Sequence, residues 1–204
     1  MGLRVGVLAL QGAFREHARV LRGLGAEVVE VRLPADLEDL DGLVIPGGES
    51  TTMGKLMEAY GLTAPLRAFV ASRPVFGTCA GMILLSRRTV EGRQPLLGVL
   101  DVVVRRNAFG RQLHSFEAPV SIPALAGPDP FPAVFIRSPW VEEAGPSVEV
   151  LGVHEGHIVA VRQENILAAA FHPELTEDSR VHAVFLESVR GHASQGVGAR
   201  AAVS

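Results

Sequence analysis

Cysteine is almost absent from this chain: of 204 residues, only Cys79 carries a thiol. A single cysteine cannot form an internal disulfide, and it excludes a zinc or iron–sulfur site built from several cysteines. The thiol is therefore either a small buried side chain or a nucleophile, and the cysteine count alone leaves both interpretations open.

The sequence also lacks a large net charge and a long apolar run. The net charge is −3, which gives no electrostatic reason to expect binding to nucleic acid or to an anionic membrane. The apolar stretch at residues 5–10 is too short to span a bilayer, and no small-residue cleavage site follows a basic start. We therefore expect a cytoplasmic protein.

What the sequence does contain is the composition of a globular domain. Hydrophobic residues make up 48% of the chain and charged residues 20%, which excludes a disordered protein. The length fits one domain, which we place at residues 1–190. Residues 191–204 are rich in Gly, Ala and Ser, and we expect them to form a flexible tail.

The first half of the chain alternates short apolar runs with helical patterns, and the second half contains strand patterns separated by short polar breaks. In the first half, strands are predicted at 5–10, 27–33, 42–45 and 74–77, and helices at 14–23, 51–60, 63–72 and 80–86. In the second half, strands are predicted at 99–105, 117–122, 133–137, 148–153, 157–163 and 166–171, followed by a helix at 181–189. The pattern predicts an α/β fold with a mostly parallel central sheet and an antiparallel extension.

The segment Gly77-Thr78-Cys79-Ala80-Gly81 lies between a predicted strand and a predicted helix. This is the thiol form of a nucleophile elbow, in which a sharp turn presents the nucleophile at the carboxyl end of a sheet. The helix that follows favours a thiolate at its N-terminus, and the N–H of Ala80 is a candidate oxyanion donor. This context favours a nucleophile over a buried cysteine.

A cysteine nucleophile needs a base, and His172 follows an apolar strand in the same way as Cys79. Glu174, two residues further on, is suited to orient the imidazole, which completes a nucleophile–base–orienter set. The alternative for His172 is a solvated histidine in a turn. His154 and His157 have no third ligand at a suitable spacing, so we interpret them as surface hairpin residues and predict no metal site.

A second oxyanion donor is expected from Gly47 and Gly48, which follow the strand at 42–45. Glycines at a strand end let main-chain N–H groups approach a ligand closely. Taken alone, the glycine pair also fits an ordinary strand-to-helix loop. Together with the elbow and the His-Pro-Glu segment, it favours an acyl-transfer site.

These residues resemble the triad-type, class I glutamine amidotransferases, and within them the glutaminase subunits of pyridoxal 5′-phosphate synthase. The resemblance runs from about residue 5 to about residue 189. The motifs that carry it, besides the elbow, are Leu10-Gln11-Gly12-Ala13 with Arg15-Glu16-His17, Pro46-Gly47-Gly48-Glu49-Ser50-Thr51-Thr52-Met53, Arg106-Asn107-Ala108-Phe109-Gly110-Arg111-Gln112, Phe135-Ile136-Arg137 and Phe171-His172-Pro173-Glu174-Leu175-Thr176. The fold that this resemblance implies is a flavodoxin-like three-layer sandwich.

The resemblance further implies a glutaminase activity that releases ammonia from L-glutamine through a thioester on Cys79. His172 would act as general base and acid, Glu174 would orient it, and the backbone N–H groups of Gly48 and Ala80 would form the oxyanion hole. The positions implied to bind glutamine are Gly47, Gly48, Glu49, Arg106, Ile136 and Arg137. A solvated surface arginine is the alternative for Arg106 and Arg137, because 18 of the 19 basic residues are arginines.

The resemblance also implies an obligate partner and no cofactor. The partner is a (β/α)8-barrel synthase subunit, which receives the ammonia and assembles pyridoxal 5′-phosphate. Candidate docking segments are 11–17 and 105–112. Two alternatives stay open: a glutaminase that serves an imidazole, purine or pyrimidine pathway, and a non-hydrolytic redox or binding module on the same scaffold.

Overall fold

The computed structural model describes residues 2–109 and 115–201, with side chains described up to Ser194. Twelve strands are present in these ranges: β1 (Arg4–Leu8), β2 (Glu27–Val31), β3 (Gly42–Ile45), β4 (Val75–Thr78), β5 (Ser86–Thr89), β6 (Leu100–Arg105), β7 (Ser115–Val120), β8 (Phe131–Ile136), β9 (Trp140–Ala144), β10 (Glu149–His154), β11 (His157–Gln163) and β12 (Ile166–Ala169). The helices are α1 (Phe14–Gly23), α2 (Ser50–Ala59), α3 (Thr63–Val70), α4 (Ala80–Leu85) and α5 (Arg180–Ala201), with short 3-10 turns at Pro34–Leu37 and Pro173–Leu175.

Five parallel strands form the half of the sheet that matters for the site, in the order β2-β1-β3-β4-β12. Every residue of β3 and β4 is buried, as expected for continuous apolar strands covered on both faces. The antiparallel extension continues from β12 through β11 and β9 to β6, with β10 paired to β11. The predicted α/β fold with a mostly parallel sheet and an antiparallel extension is confirmed.

Two helices far apart in sequence share one face of β4. Phe76, in the middle of β4, lies with its ring centroid 6.1 Å from His17 of α1, 5.8 Å from His182 of α5 and 5.8 Å from Phe185 of α5. Helix α1 has the predicted bounds, and it buries His17, Ala18 and Leu21, which recur at helical spacing. This packing places two histidines directly behind the carboxyl end of β4.

The main differences from the sequence prediction concern two strands and one helix; several other elements begin or end one or two residues away from their predicted bounds. The prediction missed β5, because it contains no apolar residue, and β9, because two consecutive glutamates interrupt its apolar pattern. In β9, Glu142 pairs with Arg105 at 2.9 Å and Glu143 with Arg88 at 3.1 Å. Helix α5 continues past Val189 to Ala201, so much of the expected tail is helical. Residues 202–204 lie outside the described ranges, and a flexible tail stays a prediction. No helix in the described part of the chain is both long and apolar enough to cross a bilayer.

Candidate active site

The site lies where three neighbouring parallel strands end. Strand β4 has β3 on one side and β12 on the other, and Thr78 of β4 is level with Ala169 of β12. Cys79 follows β4 directly, and its N–H donates to the Ala169 carbonyl at 2.8 Å. Because carboxyl ends of adjacent parallel strands meet at one sheet edge, Cys79 and His172 are brought together although 93 residues separate them in sequence.

Cys79 adopts a strained backbone conformation, with φ 48° and ψ −105°, at the start of helix α4. The turn is tight on both sides. A Cβ on Gly81 would meet the carbonyl of Ile45, and one on Gly77 would meet the backbone of Gly81 at 2.8 Å. The elbow therefore requires its two glycines, as the sequence predicted. No side chain caps α4, so the first N–H groups of the helix have no side-chain acceptor.

His172 and Glu174 form a close buried pair. The Nδ1 of His172 lies 2.7 Å from the Glu174 Oε1, which leaves Nε2 as the nitrogen available to the thiol. Burial alone would lower the pKa of His172, but interactions with Cys79 and Glu174 outweigh it and raise the pKa to about 10. The Cys79 Sγ lies 4.0 Å from the Ile136 carbonyl oxygen, the outer limit of a thiol hydrogen bond. At neutral pH the site therefore favours an imidazolium, the natural partner of a thiolate.

The Gly47–Gly48 turn packs against both Cys79 and His172. A Cβ on Gly47 would lie 2.9 Å from the His172 Nδ1 and 3.3 Å from the Cys79 Cβ. The carbonyl of Gly47 accepts the Ala13 N–H at 3.0 Å. Within the described ranges, neither the Gly48 N–H nor the Ala80 N–H donates a hydrogen bond to the protein. No hydrogen bond among the described residues competes for these N–H groups, so both stay candidate oxyanion donors.

A cavity of about 360 Å³ opens in front of Cys79 and His172, a size typical of small-molecule sites. Five of the six residues that the family resemblance assigns to glutamine line it: Gly48, Glu49, Arg106, Ile136 and Arg137. The sixth, Gly47, forms the contacts with His172 and Cys79 described above. The structure thus gathers all of the predicted site residues in one place.

The side chain of Glu49 has a structural task as well. Its carboxylate caps helix α2 by accepting the Thr51 and Thr52 N–H groups at 3.0 and 2.8 Å. The Thr52 hydroxyl also donates to it, at 2.6 Å, and this bond is the main cause that lowers the pKa of Glu49 to about 2. The Glu49 N–H is engaged by the Gln11 side chain at 2.7 Å. Glu49 is therefore a fixed negative charge at the cavity wall.

The two arginines differ in how firmly they are held. Arg106 donates to the Gln94 side chain at 2.8 Å and lies 3.5 Å from Glu49, so it is anchored at the cavity wall. Arg137 is exposed and has a positive φ of 45°. A non-glycine residue in this region is strained, and such strain is common at ligand sites.

Three cavity residues were missed by sequence reasoning: Ser50, Ile83 and Asn107. Ser50 and Asn107 lie within the quoted motifs, but their types gave no chemical signal, and Ile83 looked like any core residue. The expected docking segment 11–17 needs a correction at its end. His17 is fully buried next to Glu174, because α1 turns it toward the sheet, so it is not part of a surface. Residues 110–112 of the other expected segment lie outside the described residues.

His154 and His157 lie opposite each other on the β10–β11 hairpin, as predicted. His157 stacks on Trp140 with 3.5 Å between ring centroids, and His154 packs on Phe135 at 5.4 Å. These contacts give both rings an aromatic packing role. Among the described residues, no three His, Cys, Asp or Glu side chains come together in a way that would hold a metal ion.

Comparison with known proteins gives consistent matches. The model of the SNO glutamine amidotransferase family matches residues 7–191. The chain is 59% identical over 196 residues to "Pyridoxal 5′-phosphate synthase subunit PdxT" of Frankia alni, which covers 95% of this chain and 98% of that protein. The protein of the same name from Pelotomaculum thermopropionicum is 59% identical over 186 residues, 91% of this chain and 94% of that one.

Solved structures agree with these matches. A crystal structure of a glutamine amidotransferase has a TM-score of 0.86 and 50% identity, and covers 91% of this chain and 98% of that one. A putative GMP synthase component from Thermoplasma acidophilum has a TM-score of 0.68 at 17% identity, with 98% of both chains covered. This second likeness shows the fold alone.

Proposed function

Because the chain belongs to the SNO glutamine amidotransferase family, we propose that it hydrolyses L-glutamine to glutamate and ammonia, and that the ammonia supplies pyridoxal 5′-phosphate synthesis. Relatives at 59% identity carry the name of a pyridoxal 5′-phosphate synthase subunit, which favours this acceptor over an imidazole, purine or pyrimidine pathway. The observation that carries the activity is the meeting of Cys79, His172 and Glu174 at adjacent strand ends beside one cavity.

The first half of the reaction forms a thioester. The Cys79 thiolate, paired with the His172 imidazolium, attacks the side-chain amide carbon of glutamine and makes a C–S bond. The carbonyl oxygen becomes an oxyanion facing the N–H groups of Gly48 and Ala80. His172 then gives its proton to the amide nitrogen, the C–N bond breaks, and ammonia leaves.

The second half returns the enzyme to its starting state. Neutral His172 takes a proton from water, and the resulting hydroxide attacks the thioester carbon. A second oxyanion forms and collapses, the C–S bond breaks, and glutamate leaves as Cys79 returns to the thiolate. Glu174 holds His172 in the orientation needed for both proton transfers, and it stabilises the imidazolium without itself taking the proton.

Free glutamine carries an α-carboxylate and an α-ammonium, so its site needs charges of both signs. In our proposal Arg106 and Arg137 serve the carboxylate, since a guanidinium binds a carboxylate in a fork-like arrangement. The fixed carboxylate of Glu49 serves the ammonium. Ile136 contributes its carbonyl and an apolar wall beside the thiol.

Ammonia released into water at neutral pH becomes protonated and stops being a nucleophile. We therefore propose that the glutaminase works docked on a synthase subunit with a (β/α)8-barrel fold, which takes up the ammonia directly. We place both in the cytoplasm, where the single catalytic thiol stays reduced. The catalytic steps involve side chains and backbone groups of this chain, and we propose that they use no metal or other cofactor.

The decisive experiment measures ammonia release from L-glutamine by the full chain, with and without the synthase subunit. We expect Cys79→Ala to lose more than about 10³-fold of the activity, because the members of a triad act as a unit. His172→Ala should show a similar loss. The matched control is His192→Ala, a histidine of α5 outside the site, which should stay within about twofold of the wild type. Undiminished release by Cys79→Ala would contradict the proposal.

A further inference from the structure

A row of buried polar side chains continues from Glu174 into the interior of the protein. The proposed steps of glutamine hydrolysis do not use it. His17, Glu174 and His182 have no solvent exposure. The Nδ1 of His17 lies 2.9 Å from the His182 Nε2, and its Nε2 lies 3.0 Å from the Thr78 Oγ1 and 3.3 Å from the Glu174 Oε2. Three polar side chains in the apolar layer between α1, α5 and β4 carry a large desolvation cost, which calls for an explanation.

We propose that His17 is a positioning residue for the glutaminase reaction: its Nε2–H lies beside the Glu174 Oε2 and holds the carboxylate in place electrostatically, and His182 holds it in the tautomer that allows this. The inference rests on the proposed function, since it concerns the orientation of the proposed triad. His17 acts through Glu174 and touches neither substrate nor thiol.

The tautomer follows from counting donors and acceptors. Glu174 Oε1 receives the His172 Nδ1–H. Glu174 Oε2 is fully buried, and within the described ranges it makes no hydrogen bond; the His17 Nε2 lies 3.3 Å from it, so a proton on this nitrogen places an N–H dipole beside the unpaired carboxylate oxygen. The hydrogen bond of the same nitrogen is with the Thr78 hydroxyl oxygen, at 3.0 Å. The Nδ1 of His17 then accepts the Nε2–H of His182, and His182 Nδ1 is left as an unpaired acceptor.

The opposite tautomer is worse on two counts. If His17 carried its proton on Nδ1, the Thr78 hydroxyl could donate to the Nε2 lone pair, but that lone pair would still lie 3.3 Å from the carboxylate oxygen, and two acceptors would repel each other. His182 would have to accept at Nε2 and carry its proton on Nδ1, which would leave a buried N–H without a partner. A buried unpaired donor costs more than a spare acceptor lone pair. The N–H groups of these side chains therefore point in one direction: that of His182 toward His17, and that of His17 toward Glu174.

The two histidines also have to be neutral for this arrangement to work. Burial is the main cause that lowers the pKa of His17 well below its usual value, helped by His182 and His172, and burial lowers the pKa of His182 to about 4. The groups that face His17 are Glu174, His182, the Thr78 hydroxyl and, more remotely, His172. A second imidazolium here would neutralise Glu174 and weaken its hold on His172. A neutral donor fixes the carboxylate without competing for its charge.

The first test compares three substitutions of His17 in ammonia release with the synthase subunit present. His17→Leu has a similar volume but no N–H. We expect kcat to fall between about 10- and 100-fold with KM within about twofold, because the base is misplaced while the cavity is intact. His17→Gln carries an amide N–H near the position of Nε2 and should stay within about fivefold of the wild type. His17→Asn reaches only as far as Nδ1 and should behave like the leucine variant.

The glutamine–asparagine comparison keeps the test valid if the leucine variant fails to fold. Both substitutions are polar, and the two differ in reach. Equal activity of His17→Gln and His17→Asn would overturn the proposal, and so would a leucine variant as active as the glutamine variant. A packing role predicts either of these results, whereas a positioning role predicts neither.

A second readout does not depend on glutamine. Because Cys79 is the only thiol, iodoacetamide alkylation followed across pH reports its reactivity alone. Loss of the His17 donor should move the acid limb of the profile to higher pH by about one unit, since a less well held Glu174 stabilises the imidazolium–thiolate pair less. His17→Gln should restore the wild-type profile, and an unshifted His17→Leu profile would overturn the proposal. If the profile shifts while the wild type releases no ammonia, the proposed function fails and the positioning role stands.

Substitution of His182 tests the same row of buried side chains, with a smaller expected effect. His182→Leu removes the donor that selects the tautomer of His17, and we expect kcat to fall about three- to tenfold with the same direction of pH shift. The matched control is His192→Leu on the same helix, which should leave both readouts unchanged. No difference between these two variants would overturn the role given to His182.

Discussion

Two neighbouring strand-to-helix turns border the cavity, and their helix starts are built in opposite ways. At the end of β3, Glu49 has an ordinary φ of −94°, and its carboxylate accepts two N–H groups of α2. At the end of β4, Cys79 has a φ of 48°, and no side chain caps α4. The first turn satisfies its helix, whereas the second leaves its helix N–H groups unused.

We call the first the structural turn, because its helix start is capped, although Gly48 and Glu49 in it have proposed roles in binding, and the second the reactive turn, because it presents Cys79 and an uncapped helix start. A carboxylate cap uses up the first N–H groups of a helix, so they are lost to a ligand. An uncapped helix start keeps its N–H groups and its partial positive charge for an anion. Here the anions are the thiolate and the oxyanion of the proposed reaction. The backbone strain at Cys79 is the cost of presenting the side chain and the N–H groups to the same point.

Among changes that leave Cys79, His172 and Glu174 in place, the largest expected effect comes from adding a methyl group where the two turns are in contact. Gly47→Ala would place a methyl group 2.9 Å from the His172 Nδ1 and 3.3 Å from the Cys79 Cβ. We expect ammonia release to fall at least about 10²-fold, because a displacement near 1 Å of a catalytic group has that consequence. The control is Gly23→Ala, where nothing lies within 4 Å of the added Cβ; it should keep full activity. An active Gly47→Ala enzyme would show that the turns do not need this close packing.

A medium effect is expected from weakening the cap of the structural turn. Glu49→Gln should lower the free energy of unfolding by about 1 kcal/mol at pH 7, because an ionised cap is lost and the side chain is half exposed. The folded pKa of about 2 lies below the usual 4.5. The ionised cap therefore stabilises the fold above pH 4.5, and this stability is lost as pH falls toward 2.

Urea unfolding at several pH values checks the sign of this effect. The difference between the wild type and Glu49→Gln should be largest near neutral pH and should shrink below pH 4.5. Glu58→Gln at the other end of α2 is the matched control, and we expect it to change stability by less than about 0.5 kcal/mol. A difference that grows on acidification would refute the capping role.

The smallest effect concerns the strain of the reactive turn. Cys79→Gly should be more stable than Cys79→Ala by about 0.5–1 kcal/mol, because glycine adopts a positive φ without a Cβ clash, partly offset by its greater freedom when unfolded. Ala80→Gly, one residue into the helix, should instead be destabilising by a similar amount. Thermal unfolding of the three variants decides between these signs.

The proposed catalytic residues could be predicted from the sequence because their signals are local. Cys79 and His172 each follow an apolar strand. Because the carboxyl ends of adjacent parallel strands lie at the same edge of the sheet, the two residues come close together. Helix α1 was predicted with its full bounds, since its apolar positions recur at helical spacing. The glycines of the elbow were predicted from the crowding that such a turn imposes.

The role proposed for His17 could not be predicted, because nothing in the sequence of α1 indicates which side chains of other elements pack against His17. Its neighbours come from β4 and from α5, 165 residues away, so only the assembled packing of α1, α5 and β4 reveals them. Strand β9 was missed for a different reason. Its outward side chains are Glu142 and Glu143, held by arginines of neighbouring strands, and such pairing leaves no apolar alternation in the sequence.

The position of β12 has a consequence for the synthesis of the protein on the ribosome. This strand fills the slot between β4 and β11, and it leaves the ribosome long after β4. At about 5–20 residues per second, the 93 residues between nucleophile and base take roughly 5–20 seconds to synthesise. During that time the thiol exists without its imidazole. Because β12 is the last strand of the sheet in chain order, a nascent chain cannot bring Cys79 and His172 together before every strand of the sheet has been synthesised.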